Sequence, residues 1–204
     1  MVKSINSKRK IRVGFDLDGV ILYNPIRTFR PLASFLKFLK PYLFHEKSES
    51  FYFPNSRLEK FIWRQLHKTS FCIADGFKDI NQLSKKGAID AYLITSRYDF
   101  LKKDFGYWVK KLKARSIFKN CYYNKSNMQP NTFKQHMIEK LHLDYFVEDN
   151  WGIIQKLNGS LKKVNPVKNG VKVMWISNFL DRNIKYQYKF FSLKEVADYF
   201  NRLF

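Results

Sequence analysis

The chain has 204 residues, 45% of them hydrophobic, and a formal net charge of +21. This is enough for one domain with a full core, or for a core with a modest insertion, and it excludes broad disorder. No run of about 18 apolar residues is present, which excludes a membrane-spanning helix of the usual kind.

Ile11 to Phe15 is a short apolar run that reads as a first, buried strand. It ends in Asp16-Leu17-Asp18-Gly19. The next stretch, Asn24 to about Ile73, carries two amphipathic helical patterns. One runs from about Thr28 to Phe44, with Leu32, Phe35, Leu36 and Leu39 apolar. The other is opened by the capping box Ser56-x-x-Glu59 and carries Leu58, Phe61, Ile62 and Leu66. Pro31, Pro41 and Pro54 punctuate this region. A helix is predicted from about Gly76 to Lys86, and a second buried strand from Ala91 to Thr95. A helix from about Asp99 to Arg115 and a short strand from Cys121 to Tyr123 follow. Thr132-x-x-Gln135 reads as a cap opening a helix to about Leu141. Tyr145 to Val147 and Val171 to Ile176 read as the fourth and fifth strands, and Ser192-x-x-Glu195 caps a last helix.

Strands alternating with helices imply an α/β fold, a doubly wound parallel sheet covered on both faces. In such sheets ligands bind at the carboxyl ends of the strands. Asp16, Thr95 and Asp149 all fall at such ends. The division predicted is a core of residues 1–23 and 74–204 with a helical cap at 24–73, inserted after strand one.

The segment Met1 to Lys10 is polar and lacks a signal peptide's apolar stretch. Cys72 and Cys121 form neither a disulfide framework nor a zinc motif. These features predict a reduced, cytoplasmic protein. The four His residues are scattered, which reads as surface or core. The basic charge has two readings. One is attraction to a polyanion, either nucleic acid or an anionic membrane; the other is the composition of an AT-rich genome.

A buried strand that ends in two acids is costly unless the charges find partners. A hard divalent cation and a phosphoryl group are the obvious ones. In chain order the motifs are Phe-Asp16-Leu-Asp18-Gly19-Val, Leu-Ile-Thr95-Ser96-Arg97, a helix carrying Lys134, and Phe-Val-Glu148-Asp149-Asn150. With these the chain resembles the haloacid dehalogenase-like hydrolase superfamily, whose members are mostly phosphatases. The resemblance covers about Ile11 to Asn150, apart from the insertion.

The resemblance implies roles. Asp16 would be the nucleophile, forming an aspartyl-phosphate; Asp18 would protonate the leaving oxygen and then activate water. Mg²⁺ would be held by Asp16, the Asp18 backbone carbonyl and Asp149. The Thr95 hydroxyl and Lys134 would hold the phosphoryl group, with Ser96 as the alternative to Thr95 and Lys125 the alternative to Lys134. Gly19 would let the chain turn beneath the phosphate, and Ser96 and Arg97 stand on the substrate side. The family often has a further acid a few residues after Asp149. Trp151-Gly152-Ile153-Ile154 supplies none, which leaves Glu148 as the second acid.

The insertion is rich in aromatic and basic residues: Phe29, Arg30, Phe51, Tyr52, Phe53, Trp63 and Arg64. Thr-Ser-Arg and Glu-Asp-Asn are similar to the 5′(3′)-deoxyribonucleotidase-like branch, which implies a small phosphorylated substrate, a nucleoside monophosphate first. The alternatives are a nucleic-acid end phosphatase, a peripheral membrane enzyme acting on a lipid phosphate, and a non-catalytic phosphate-binding module.

Overall fold

The computed structural model describes residues 10–23, 51–164, 170–178 and 181–204. Six parallel strands form one sheet in the order β5-β4-β1-β6-β7-β8: β1 (Ile11–Phe15), β4 (Ile89–Tyr98), β5 (Asn120–Asn124), β6 (Tyr145–Glu148), β7 (Lys172–Ile176) and β8 (Lys189–Phe190). β1 lies centrally, with Phe15 opposite both Leu93 of β4 and Val147 of β6. A separate antiparallel pair, β2 (Leu22–Tyr23) and β3 (Cys72–Ile73), brings together the chain on either side of the insertion. The helices are α1 (Arg57–Lys68), α2 (Phe77–Lys85), α3 (Lys102–Lys111), α4 (Pro130–Leu141), α5 (Trp151–Val164) and α6 (Leu193–Asn201). None among the described residues is long and apolar enough to cross a membrane.

The strands read as continuous apolar runs because both faces of the sheet are covered. Alternate residues divide between two cores. Val13, Phe15, Ala91, Leu93, Val147 and Met174 pack with α2, α3 and α6. Tyr92, Ile94, Phe146, Val173 and Trp175 pack on the other face with α4 and α5. The expected doubly wound sheet is therefore present.

Several elements differ from their sequence reading. β4 extends to Tyr98, past the expected end at Thr95, through a bulge: Thr95 pairs with Tyr123 and Tyr98 with Asn124, so Ser96 and Arg97 are extra. The helix expected over 99–115 is broken at Lys113, which adopts φ 49°. α4 opens at Pro130 behind Gln129, not at a Thr132 cap; proline suits the first helical position because it has no N–H to satisfy. Lys134 consequently lies beyond the first turn. The Ser56 box forms as read, with the Glu59 N–H donating to Ser56 Oγ at 3.1 Å and Glu59 Oε2 accepting from the Ser56 N–H at 2.9 Å. Leu58, Phe61, Ile62 and Leu66 stay exposed, because α1 meets its neighbours through the adjacent stripe containing Trp63 and His67. The helix expected over 28–44, with Phe29 and Arg30, lies outside the described residues.

Gly76 precedes α2 at φ 91°, and a Cβ there would lie 2.3 Å from the Lys194 amide nitrogen at the start of α6. Gly76→Ala is expected to destabilise the protein by about 2 kcal/mol or more, from backbone strain and this close approach. Gly106, exposed within α3 with nothing near its Cβ position, provides the contrast. Gly106→Ala is expected to stabilise by up to about 1 kcal/mol. Thermal unfolding of the two variants checks both signs.

Candidate active site

The carboxyl ends of β1, β4 and β6 are neighbours because β1 sits between the other two strands. Their terminal residues therefore converge. Asp16 follows β1, and its N–H donates to the Val147 carbonyl of β6 at 3.0 Å. Its side chain is anchored twice: Oδ1 accepts from the Leu17 N–H at 2.8 Å, and Oδ2 accepts from Lys134 Nζ at 2.8 Å.

Lys134 reaches this point from α4 and is fully buried. Its ammonium also donates to Glu148 Oε2. The other Glu148 oxygen accepts from the N–H groups of Asp149 and Asn150, at 3.2 and 2.9 Å. Trp175 Nε1 fixes the next turn by donating to the Asp149 carbonyl at 3.2 Å. Asp16, Glu148 and Asp149 offer carboxylate oxygens within 4.8 Å of one another.

Burial pushes the Asp16 carboxyl up to about 6; Lys134 partly offsets this, while Asp18 and Asp149 add to it. Burial likewise pushes Glu148 up to about 8, against the attraction of Lys134. Burial alone would lower Lys134, but the charges of Asp16 and Glu148 outweigh it and hold the ammonium well above its ordinary range.

A second charge system lies beside the first. Arg97, buried at the β4 bulge, donates through Nε to Asp18 Oδ2 at 2.8 Å and through Nη2 to Asp18 Oδ1 at 2.7 Å. Its Nη1 donates to Asp104 Oδ2 on α3.

These residues border a cavity of about 320 Å³. Asp16, Asp18, Ser96, Arg97, Lys134, Glu148 and Asp149 supply its polar lining. Phe51, Tyr52, Trp63, His67 and Tyr98 supply aromatic walls. The insertion's return is tied to the core here: Gln129 accepts from the Phe51 N–H at 2.7 Å, and the Tyr98 hydroxyl donates to the Tyr52 carbonyl at 3.3 Å.

Of the residues singled out from sequence, Asp16, Asp18, Ser96, Arg97, Lys134 and Asp149 meet at this cavity. Thr95 is buried and is not part of the lining; its hydroxyl accepts from the Arg97 N–H at 3.3 Å. Gly19, at φ 82°, sits in a tight turn whose N–H donates to the Leu22 carbonyl at 2.7 Å, also outside the lining. Lys125 is exposed, directly after edge strand β5, and is outside the lining. Phe53 packs edge-on against Tyr98, and Arg64 lies over Phe100.

His67, Tyr98 and Asp104 escaped the sequence reading. His67 had no signal beyond its place four residues after Trp63, which puts both on one helical stripe. Asp104 had only its position in the first turn of a helix, where an acid is ordinary.

No family profile matches the chain, and no curated protein matches its sequence. Solved structures do match. A HAD-superfamily hydrolase from Ehrlichia chaffeensis is 13% identical, with a TM-score of 0.50, over 96% of this chain and 99% of that one. An aspartate-to-asparagine variant of CbbY from Rhodobacter sphaeroides, in complex with xylulose-(1,5)bisphosphate, is 12% identical with a TM-score of 0.58, over 92% and 96%. A dehalogenase with an intermediate complex is 13% identical with a TM-score of 0.52, over 93% and 96%. At such identity the likeness concerns architecture, and in architecture the chain is a haloacid dehalogenase-like hydrolase fold, as its ordered motifs lead one to expect.

Proposed function

We propose that the protein is a divalent-cation-dependent phosphomonoester hydrolase that works through an aspartyl-phosphate on Asp16. The observation carrying this reading is the buried cluster of Asp16, Glu148 and Asp149, the first two paired with Lys134, in the lining of the cavity. Three carboxyl groups share one ammonium in a desolvated place, so their full ionisation leaves a surplus of negative charge. A divalent cation with hard oxygen ligands fits that surplus and that donor set. Asp16 and Asp149, with the Asp18 backbone carbonyl, would hold Mg²⁺; Glu148 is engaged in orienting Lys134. When bound, the ion neutralises phosphoryl oxygens and relieves their repulsion from the nucleophile.

The chain's own groups divide the remaining work. The Asp16 carboxylate attacks phosphorus and the ester oxygen departs, taking a proton from Asp18. Water then attacks the aspartyl-phosphate and gives a proton back to Asp18. Lys134 balances charge on the transferring group, and Ser96 is the hydroxyl on the cavity side.

For the leaving group we propose a flat, apolar-faced moiety. Phe51, Tyr52 and Trp63 line the same cavity as the acids, and Tyr52 and Trp63 have ring centroids 5.7 Å apart. Aromatic faces of this kind stack on a nucleobase. This supports a nucleoside monophosphate as the substrate.

Phosphate release should be measured from a panel of nucleoside monophosphates, sugar phosphates, a lipid phosphate and phosphorylated oligonucleotides. Release that needs Mg²⁺ and falls to background in Asp16→Asn is the expected result. Release indifferent to both changes, or none from any member by a folded protein, would sink the proposal. For the substrate class, Trp63→Ala should raise KM for a nucleoside monophosphate about tenfold, from lost stacking, and leave that for ribose 5-phosphate nearly unchanged.

The raised acids predict a pH effect. In the cation-free protein Asp16 and Glu148 bind protons more tightly than in the unfolded chain. Their contribution to stability is therefore present at low pH and is lost as pH rises through about 6 to 8. Mg²⁺ competes with those protons. The rise in Tm on adding Mg²⁺ should be larger at pH 8 than at pH 5.5, and calorimetry with Mg²⁺ and with chelator reads it. Equal rises at both pH values would contradict it.

A further inference from the structure

Each of the three Arg97 guanidinium nitrogens donates to one of this chain's own carboxylates. Two donors meet both oxygens of Asp18, at 2.8 and 2.7 Å, and a third meets Asp104. The side chain is buried, whereas Asp18 keeps partial exposure toward the cavity. A bidentate fork fixes both the distance and the plane of the carboxylate that it holds. The backbone is built to deliver it. The two extra residues of the β4 bulge, Ser96 and Arg97, diverge: Ser96 is half-exposed at the cavity, and Arg97 is buried against Asp18. The Thr95 hydroxyl, accepting from the Arg97 N–H at 3.3 Å, braces the same bulge. Asp104, in the first turn of α3, anchors the far edge of the guanidinium, where a helix N-terminus also favours an acid.

We infer that Arg97 is a positioning residue for the Asp18 carboxyl group, held in turn by Asp104, and is not a ligand of the substrate. This rests on the phosphatase reading above, in which Asp18 moves the proton of the leaving oxygen. The clamp sets where Asp18 stands relative to that oxygen. Asp18 must be released from one arm of the fork to carry its proton, and Asp104 then keeps Arg97 in place for its return.

The test uses the dependence on the leaving group. Glycerol phosphate departs as an alkoxide and needs a proton; p-nitrophenyl phosphate departs without one. Arg97→Met is expected to lower kcat about 100-fold on glycerol phosphate, the scale of a misplaced catalytic group, and about tenfold or less on the aryl ester. KM should change little on either. Combined with Asp18→Asn it should cost nothing beyond Asp18→Asn alone, because the two act as one unit. Arg97→Lys, which keeps the charge and loses the fork, should recover only part of the loss. Asp104→Asn should show the same pattern in weaker form. A raised KM with kcat preserved would instead make Arg97 a substrate ligand. Equal losses on both esters, or losses that add to those of Asp18→Asn, would likewise overturn the inference.

The clamp also has a readout without turnover. The Arg97 Nε–H resonance, identified by its absence in Arg97→Met, should exchange slowly in the intact protein and shift in both Asp18→Asn and Asp104→Asn. A wild-type protein inactive on both esters and on the whole phosphomonoester panel defeats the phosphatase reading, and this resonance still reports on the clamp. A resonance unmoved by either substitution defeats the positioning inference even where the enzyme is active.

Discussion

The site depends on one buried ammonium. Lys134 has no exposure to solvent and stands between Asp16 and Glu148. An isolated charge there would cost several kcal/mol of desolvation, and so would either acid without it. The three groups make each other affordable in the core, and the two acids also accept from backbone N–H groups. With Asp149 beside them, three carboxyl groups share one ammonium at the edge of a cavity. That imbalance is tolerable in a protein that offers the site to a cation and a phosphoryl group. It would be an odd way to stabilise a core.

Topology delivers these groups to one place. With β1 between β4 and β6, the residues following three strands become neighbours without any long loop. The helices that follow the strands then add side chains from two sides. α4 contributes Lys134 on one face of the sheet, and α3 contributes Asp104 on the other. The bulge at Ser96 and Arg97 adds the one irregularity the regular sheet cannot provide: two consecutive side chains sent to different duties.

The two charge systems differ in kind. Lys134 meets its acids as a compact point charge in a closed, fully buried setting. Arg97 holds Asp18 by a planar fork at the cavity edge, where Asp18 retains contact with solvent. The first arrangement suits groups that stay in place, the second a group that is aimed and then moves. The aromatic walls come from other parts of the chain than the acids, from the segment between β2 and β3 and from Tyr98 at the end of β4. On the proposed reading, chemistry is built on the sheet, and contact with the rest of a substrate on what the sheet carries.

Much of this was legible from residues alone. The apolar runs at Ile11 to Phe15 and Tyr145 to Val147 mark buried strands because local hydrophobicity suffices where both faces are covered. Asp16 and Asp149 stand out because an acid directly after such a strand needs a partner. The Ser56 cap is a contact between residues three apart, so sequence contains it whole. Other features were not legible because they depend on distant partners. Thr132 had the spacing of a cap, but Pro130 started the helix earlier. Glu148 as the anchor of Lys134, and Asp104 as the anchor of Arg97 across the end of β4, are pairings set by how helices dock on the sheet. The bulge that separates the duties of Ser96 and Arg97 exists only in the register between β4 and β5. Sequence by itself determined five of the sheet's six strands, their order-bearing motifs and the acids at their ends, since those follow from local polarity and spacing. Only the tertiary structure decided which charge neutralises which, because the energy of a buried ion is set by neighbours that the linear chain keeps far apart.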